Sequence, residues 1–114
     1  MSARNPLLAT QPFDVEQALK RLGGNLRIAR LRRRLTLDDV AGKIGTGVRA
    51  VADAEKGKPS TGIAIYAALL WAYGLLDGLG SLADPQADSE GAALALSREP
   101  RRARAGRGGL SNDF

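Results

Sequence analysis

Eleven basic residues crowd into positions 20–58: Lys20, Arg21, Arg27, Arg30, Arg32, Arg33, Arg34, Lys43, Arg49, Lys56 and Lys58. Four acids accompany them (Asp38, Asp39, Asp53 and Glu55), so the stretch carries net +7. The chemistry open to such a set is recognition of a polyanion, because clustered cations attract and hold phosphates. Cysteine and histidine are both missing from the 114 residues. That removes Cys- and His-based metal sites, disulfides, thiol nucleophiles and imidazole bases together. No cofactor and no enzyme activity are expected. Residues 59–97 contain no Lys or Arg and four acids, and residues 98–114 contain five Arg against two acids. The positive field therefore belongs to the first half of the chain and to its tail. The Leu/Ala-rich stretch between them suits packing or an oligomer surface. A run such as Arg32-Arg33-Arg34 also reads as a solvated helix end, and both readings stand at this point.

Those cations must be positioned by helices, because no alternating strand pattern of useful length occurs. At 114 residues, one small domain is the expectation. Aromatics are only 4%, so the core is expected from Leu, Ala, Val and Ile. Residues 1–13, with Pro6 and Pro12, read as a flexible arm. Asp14 can cap a helix in which Val15, Ala18, Leu19 and Leu22 recur at helical spacing. Gly23-Gly24 predicts a break or kink there, since glycine weakens a helix by about 1 kcal/mol per residue relative to Ala. Asn25 can restart the helix, with Leu26, Ile28, Ala29, Leu31 and Leu35 continuing the apolar face. Thr36 can cap LDDVAGKIG by accepting from the backbone N–H of Asp39. Leu37, Val40, Ala41 and Ile44 make its apolar face, and Gly45 stops it. VRAVADAEK forms the next helix, closed by Gly57 and Pro59. Ser60-Thr61-Gly62 opens the most apolar helix, IAIYAALLWAY, ended by Gly74, and a short piece, LLDGLGSLA, follows. GAALALS suits either a turn or two of helix or a strand added in a dimer. The Arg/Gly-rich end is expected to be disordered. The expected divisions are an arm at 1–13, a helical domain at 14–85 and an extension with a basic tail at 86–114. No apolar run approaches the ~20 residues of a membrane span. The opening Met1-Ser2-Ala3-Arg4-Asn5-Pro6 leads into no apolar signal core, which predicts a cytoplasmic protein.

The stretch 36–57 is a helix, a turn at Gly45-Thr46-Gly47, then a helix. This is the helix-turn-helix pattern, whose second helix fits the major groove, about 12 Å wide. The stretch LRIARLRRRLTLDDVAGKIGTGVRAVADAEKG resembles the Cro/repressor-type (Xre) helix-turn-helix family. The matching positions are Thr36, Val40, Ala41, Gly45, Val51, Glu55 and Gly57. The block STGIAIYAALLWAYGLLDGLGSLADP is similar to the fourth and fifth helices of HipB-like antitoxins. The resemblance covers about residues 19–88. It implies an all-α, compact five-helix lambda-repressor-like domain that binds double-stranded DNA as a homodimer on a palindromic operator. It also implies an autorepressing antitoxin whose partner is a HipA-like serine/threonine kinase toxin.

The resemblance places the recognition helix at about Val48 to Lys56, with Val48, Arg49 and Asp53 facing base edges. Of these, Arg49 has the obvious partner, guanine O6/N7. Val48 suits a thymine methyl, and Asp53 suits cytosine or an arginine. The expected phosphate contacts are Arg32, Arg33, Arg34, Lys43, Lys56 and Lys58. A buried ion pair between Arg30 and Glu55 is implied as well. Local logic agrees, placing Glu55 on the same side of its helix as inward-facing Val48 and Val51. The dimer and packing surface is expected from Tyr66, Leu70, Trp71, Tyr73, Leu76, Leu79 and Leu82. The family often has Gln where Leu37 stands and Ser or Thr where Gly47 stands, and Ala50, Ala52 and Ala54 replace larger or polar side chains. These departures favour an alternative, a protein-interaction adaptor on the same fold with weakened or lost sequence-specific DNA binding.

Overall fold

Arg30 and Glu55 lie 25 positions apart and meet in the interior, so the helices bearing them are closely packed. The computed structural model describes residues 5–98, and among these all regular structure is helical. In order the helices are α1 (Pro6–Ala9), α2 (Phe13–Arg32), α3 (Leu37–Ile44), α4 (Val48–Glu55), α5 (Ile63–Ala72), α6 (Asp77–Gly80) and α7 (Ser89–Ser97). No described helix is long and apolar enough to cross a membrane. The chain divides into two units after Leu79. The second contains α7, whose Asp88 side chain accepts from Gly91 N–H at 2.9 Å. GAALALS is thus helical rather than a strand. The Arg/Gly-rich stretch beyond Arg98 lies outside the described residues.

The first unit holds the core. Leu26 and Ala29 of α2, Val40 and Ala41 of α3, Val51 and Ala54 of α4, and Tyr66 and Leu69 of α5 are all buried, with Tyr73 beside them. Helix α4 packs on α2, α3 and α5, so its position is set from three sides. The core is not purely aliphatic: Tyr66 and Tyr73 belong to it, and burial pushes both phenols above the ordinary tyrosine range. Tyr66 Oη donates to the Lys58 carbonyl at 3.3 Å, which fastens the end of the α4 segment to α5.

Two expectations for α2 are corrected. The helix starts at Phe13, with Pro12 at the N-cap making no side-chain cap, and Asp14 sits in the first turn. It also runs unbroken through Gly23 and Gly24. The reason is packing. A Cβ on Gly23 would stand 2.5 Å from the Ala54 carbonyl oxygen and 2.6 Å from that of Glu55. Gly57, at φ +69°, fits against Leu19 and Lys20 in the same way. The two glycines let the backbones of α2 and the end of α4 touch, and that contact outweighs the propensity cost. The expected arm also contains structure, because Asn5 Oδ1 accepts from Leu7 N–H at 3.0 Å and caps the single turn of α1.

Helix α3 begins as its sequence predicts. Thr36 Oγ1 accepts from Asp39 N–H at 3.0 Å, and Asp39 Oδ2 accepts from Thr36 N–H at 2.8 Å, a reciprocal capping box. Those bonds hold the Asp39 carboxyl below its ordinary pKa, with the Thr36 N–H as the main cause. Left-handed residues end the helices: Gly45 closes α3, Gly57 follows α4 and Gly74 follows α5. Arg34, at φ +55°, plays this part after α2, with Leu35 N–H returning to the Arg30 carbonyl at 3.2 Å.

Two outcomes follow. Gly24 has open space where a Cβ would go, so Gly24→Ala raises stability by about 0.5–1 kcal/mol while Gly23→Ala lowers it, by thermal melting of the two single variants. For Asp39, the folded pKa is depressed, so its contribution is complete above the unfolded value of about 4 and is lost as pH falls through the folded one. The gap in melting temperature between wild type and Asp39→Asn is therefore present at pH 6 and narrows progressively as the pH falls below about 4.

Candidate nucleic-acid interface

The interface is built on α4. The inner face of this helix is fixed by Val51 and Ala54, both fully buried. Gly47 supplies the extended N-cap residue without a side-chain cap. The opposite face carries Arg49, whose side chain is 84% exposed. Asp53, one turn on, is only 22% exposed, with Oδ1 3.7 Å from Arg49 Nε and Oδ2 3.7 Å from Lys58 Nζ. Lys56 caps the end of α4 and faces solvent. Lys58 N–H donates to the Asp53 carbonyl at 3.1 Å, so the residue after Gly57 is tied back to the last turn.

Arg49, Asp53, Lys56 and Lys58 line one open groove of about 660 Å³, together with Gln11, Glu16 and Lys20. Lys20 Nζ pairs with Glu16 Oε2 at 3.3 Å. The sequence reading did not include Lys20 and Gln11 in this set. Lys20 arrives there because Gly57 packs against Leu19 and Lys20. The signal was present as a pair of glycines, Gly23 and Gly57, each demanding a backbone neighbour. Once that contact is recognised, the α2 residues beside it must border the end of α4.

The other expected phosphate contacts lie away from this groove. Arg33 is committed elsewhere: Nη1 donates to the Ala29 carbonyl at 2.8 Å and Nη2 to the Tyr73 carbonyl at 2.9 Å. Its guanidinium also lies 5.4 Å from the Tyr73 ring centroid. Arg33 therefore clamps the end of α2 to the end of α5, although the residue stays exposed. Arg32 and Arg34 are exposed at the end of α2. Lys43 of α3 stands 6.0 Å from the ring centroid of Trp71 on α5. Val48, placed at a base edge by the resemblance and on the inward side by the local logic, is 38% exposed, whereas Val51 is fully buried.

The Arg30–Glu55 pair is present and bidentate. Arg30 Nε donates to Glu55 Oε2 at 2.7 Å and Nη2 to Oε1 at 3.0 Å, while Nη1 donates to the Leu35 carbonyl at 2.9 Å. The side chains are 9% and 7% exposed. The hydrogen bonds to Glu55 raise the Arg30 pKa above its ordinary value, against the opposing effect of burial. One guanidinium thus joins α2, the loop before α3 and the last residue of α4. The surface expected for a dimer is split. Tyr66 and Tyr73 are buried in the core and are not available to a partner, and Leu70 and Leu79 are half-buried. Trp71 (57%), Leu76 and Leu82 are exposed.

Removing one member of a buried pair leaves the other charge unpaired, at a cost of about 3–5 kcal/mol. Glu55→Ala should therefore melt far below wild type. The double variant Arg30→Met/Glu55→Leu should recover most of that loss, because no buried charge remains.

Comparison with known proteins returns no match: no family model fits the chain, and no curated protein or solved structure is similar to it.

Proposed function

We propose that this protein is a DNA-binding regulator that inserts α4 into the major groove and acts as a dimer on a palindromic operator. The observation that carries the reading is the groove beside α4. Arg49 projects from a helix whose opposite face is locked in the core, and Lys56, Lys58 and Lys20 flank it. A helix held from three sides can present one side chain to a base edge in a fixed orientation. The cations at its end meet the phosphates that border the groove. In this reading Arg49 reads guanine, Val48 contacts a thymine methyl, and Arg32, Arg34 and Lys43 add phosphate contacts outside the groove. Trp71, Leu75 and Leu76, all exposed, supply apolar surface for the two-fold contact. A dimer sets two recognition helices about 34 Å apart, one duplex turn. By its resemblance to Cro/repressor-type proteins, and to HipB-like antitoxins in particular, the regulator is an autorepressing antitoxin located in the cytoplasm on the nucleoid. Its partner is then a HipA-like serine/threonine kinase toxin. No enzyme activity is assigned to it.

A second reading rests on one observation. Arg49 is already paired with Asp53, and α4 otherwise carries Ala50, Ala52 and Ala54 between its charged residues. A protein-interaction adaptor on the same scaffold needs no base reader.

Salt titration separates the two. Each neutralised phosphate contributes about −0.9 to the slope of log K against log salt. Lys56→Ala should weaken binding to all duplexes alike and flatten the slope by about one unit. Arg49→Ala should erase preference at one or two base pairs per half-site. A wild-type protein with no salt-sensitive duplex binding is the adaptor, and a monomeric mass in the presence of DNA sinks the two-fold arrangement.

A further inference from the structure

We infer that Asp53 is an internal stand-in for a DNA phosphate and sets how tightly the groove binds. The inference rests on the DNA-binding reading above. The carboxylate lies 3.7 Å from both Arg49 and Lys58, the two cations that flank it in the groove. Asp53 is the better-buried member of each pair, at 22% exposure against 84% for Arg49 and 50% for Lys58. Its backbone is held too, because its carbonyl accepts from the N–H groups of both Lys56 and Lys58, each at 3.1 Å. The anion is therefore fixed while the cations around it are free to turn outward. At 3.7 Å these are ion pairs without a short hydrogen bond, so exchanging the carboxylate for a phosphate oxygen is easy.

Four cations and two acids meet in this groove: Lys20, Arg49, Lys56 and Lys58 against Glu16 and Asp53. A phosphate arriving at Lys58 must displace Asp53 from it, and it must do so beside a carboxylate that stays in place. Asp53 thus cancels close to one phosphate contact. Phosphates carry no base identity, so the effect falls on every sequence equally. Against this background, base preference from Arg49 is a larger share of the total binding. The role differs from base reading by Asp53 itself, in which its carboxylate accepts from a cytosine amino group.

The test compares wild type, Asp53→Asn, Asp53→Glu and Asp77→Asn, each shown to be folded by thermal melting. Asp77 lies in α6 and does not line the groove, so its variant carries the same change in net charge without touching the site. Each protein is titrated with a panel of duplexes from low to high salt. Asp53→Asn should steepen the log–log slope by about 0.9, which amounts to roughly eightfold tighter binding at 0.1 M salt relative to 1 M. The gain should be the same for every duplex, and Asp53→Glu and Asp77→Asn should stay near wild type. An equal gain in Asp77→Asn overturns the inference, because total charge then explains it. Loss of a preference for cytosine at one base pair overturns it in favour of base reading by Asp53. Wild type that binds, with Asp53→Asn no tighter, overturns it and leaves the DNA-binding reading standing. Absence of binding by all four proteins overturns both. Binding by Asp53→Asn alone overturns the DNA-binding reading of the natural protein, and with it the inference that Asp53 tunes that binding.

Discussion

The bidentate contact between Arg30 and Glu55 is the constraint on which the remaining geometry hangs. Two charges are out of water: the Glu55 carboxylate accepts twice from Arg30, and Arg30 donates its remaining bond to the Leu35 carbonyl. Satisfying both sets the distance between the C-terminal part of α2 and the end of α4, and also the course of the loop into α3. A one-residue slip of either helix would turn the side chain away and strand a buried ion, which costs several kcal/mol. The pair contributes specificity of arrangement more than net stability. Buried ion pairs roughly break even against apolar replacements, whereas the geometry they require is narrow. Three residues further along α2, Arg33 repeats the device with weaker means, joining the same helix end to the Tyr73 carbonyl and ring.

The close backbone contact through Gly23 and Gly57 has the complementary role. The ion pair fixes orientation, and the glycines fix proximity. Together they press the end of α4 onto the middle of α2, which draws Lys20 to the same groove as Lys56 and Lys58. The cationic groove is thus a by-product of how the core closes. Its charges come from the first half of α2, from α4 and from the residues just after α4.

Much of this was legible in the sequence where a local rule sufficed. The Thr36 cap, the stop at Gly45 and the closures at Gly57 and Gly74 depend on a few neighbouring atoms. They stand where the residue types require. What failed was reading one kind of signal as if it had one cause. Gly23-Gly24 reads as a break by propensity, yet Gly23 is there for a backbone 31 to 34 positions away and Gly24 is simply tolerated. The arginines from 32 to 34 read as one basic run, yet Arg33, at the C-cap of α2, donates to the Ala29 and Tyr73 carbonyls, a link to the end of α5 that no local pattern announces. In α5 the residues are apolar all round, so no periodicity chooses a face. The sequence therefore does not separate Trp71, which is exposed, from Tyr73 just past the helix end, which is buried.

The shortness of α4 explains how little of it is free to recognise anything. It has eight residues, and three sides of it touch other helices. Val51 and Ala54 are given to the core, and Glu55 is given to Arg30. The near contact of the Ala54 and Glu55 carbonyls with Gly23 leaves the helix no room to move toward α2. Ala50 and Ala52 are half-buried and too short to reach a base edge. The positions left to solvent or to the groove are Val48, Arg49 and Asp53, with Lys56 just past the end. Of these, Arg49 alone combines length, a planar fork of donors and nearly complete exposure. Packing demands on one small helix therefore reduce its outward chemistry to a single arginine and the acid beside it.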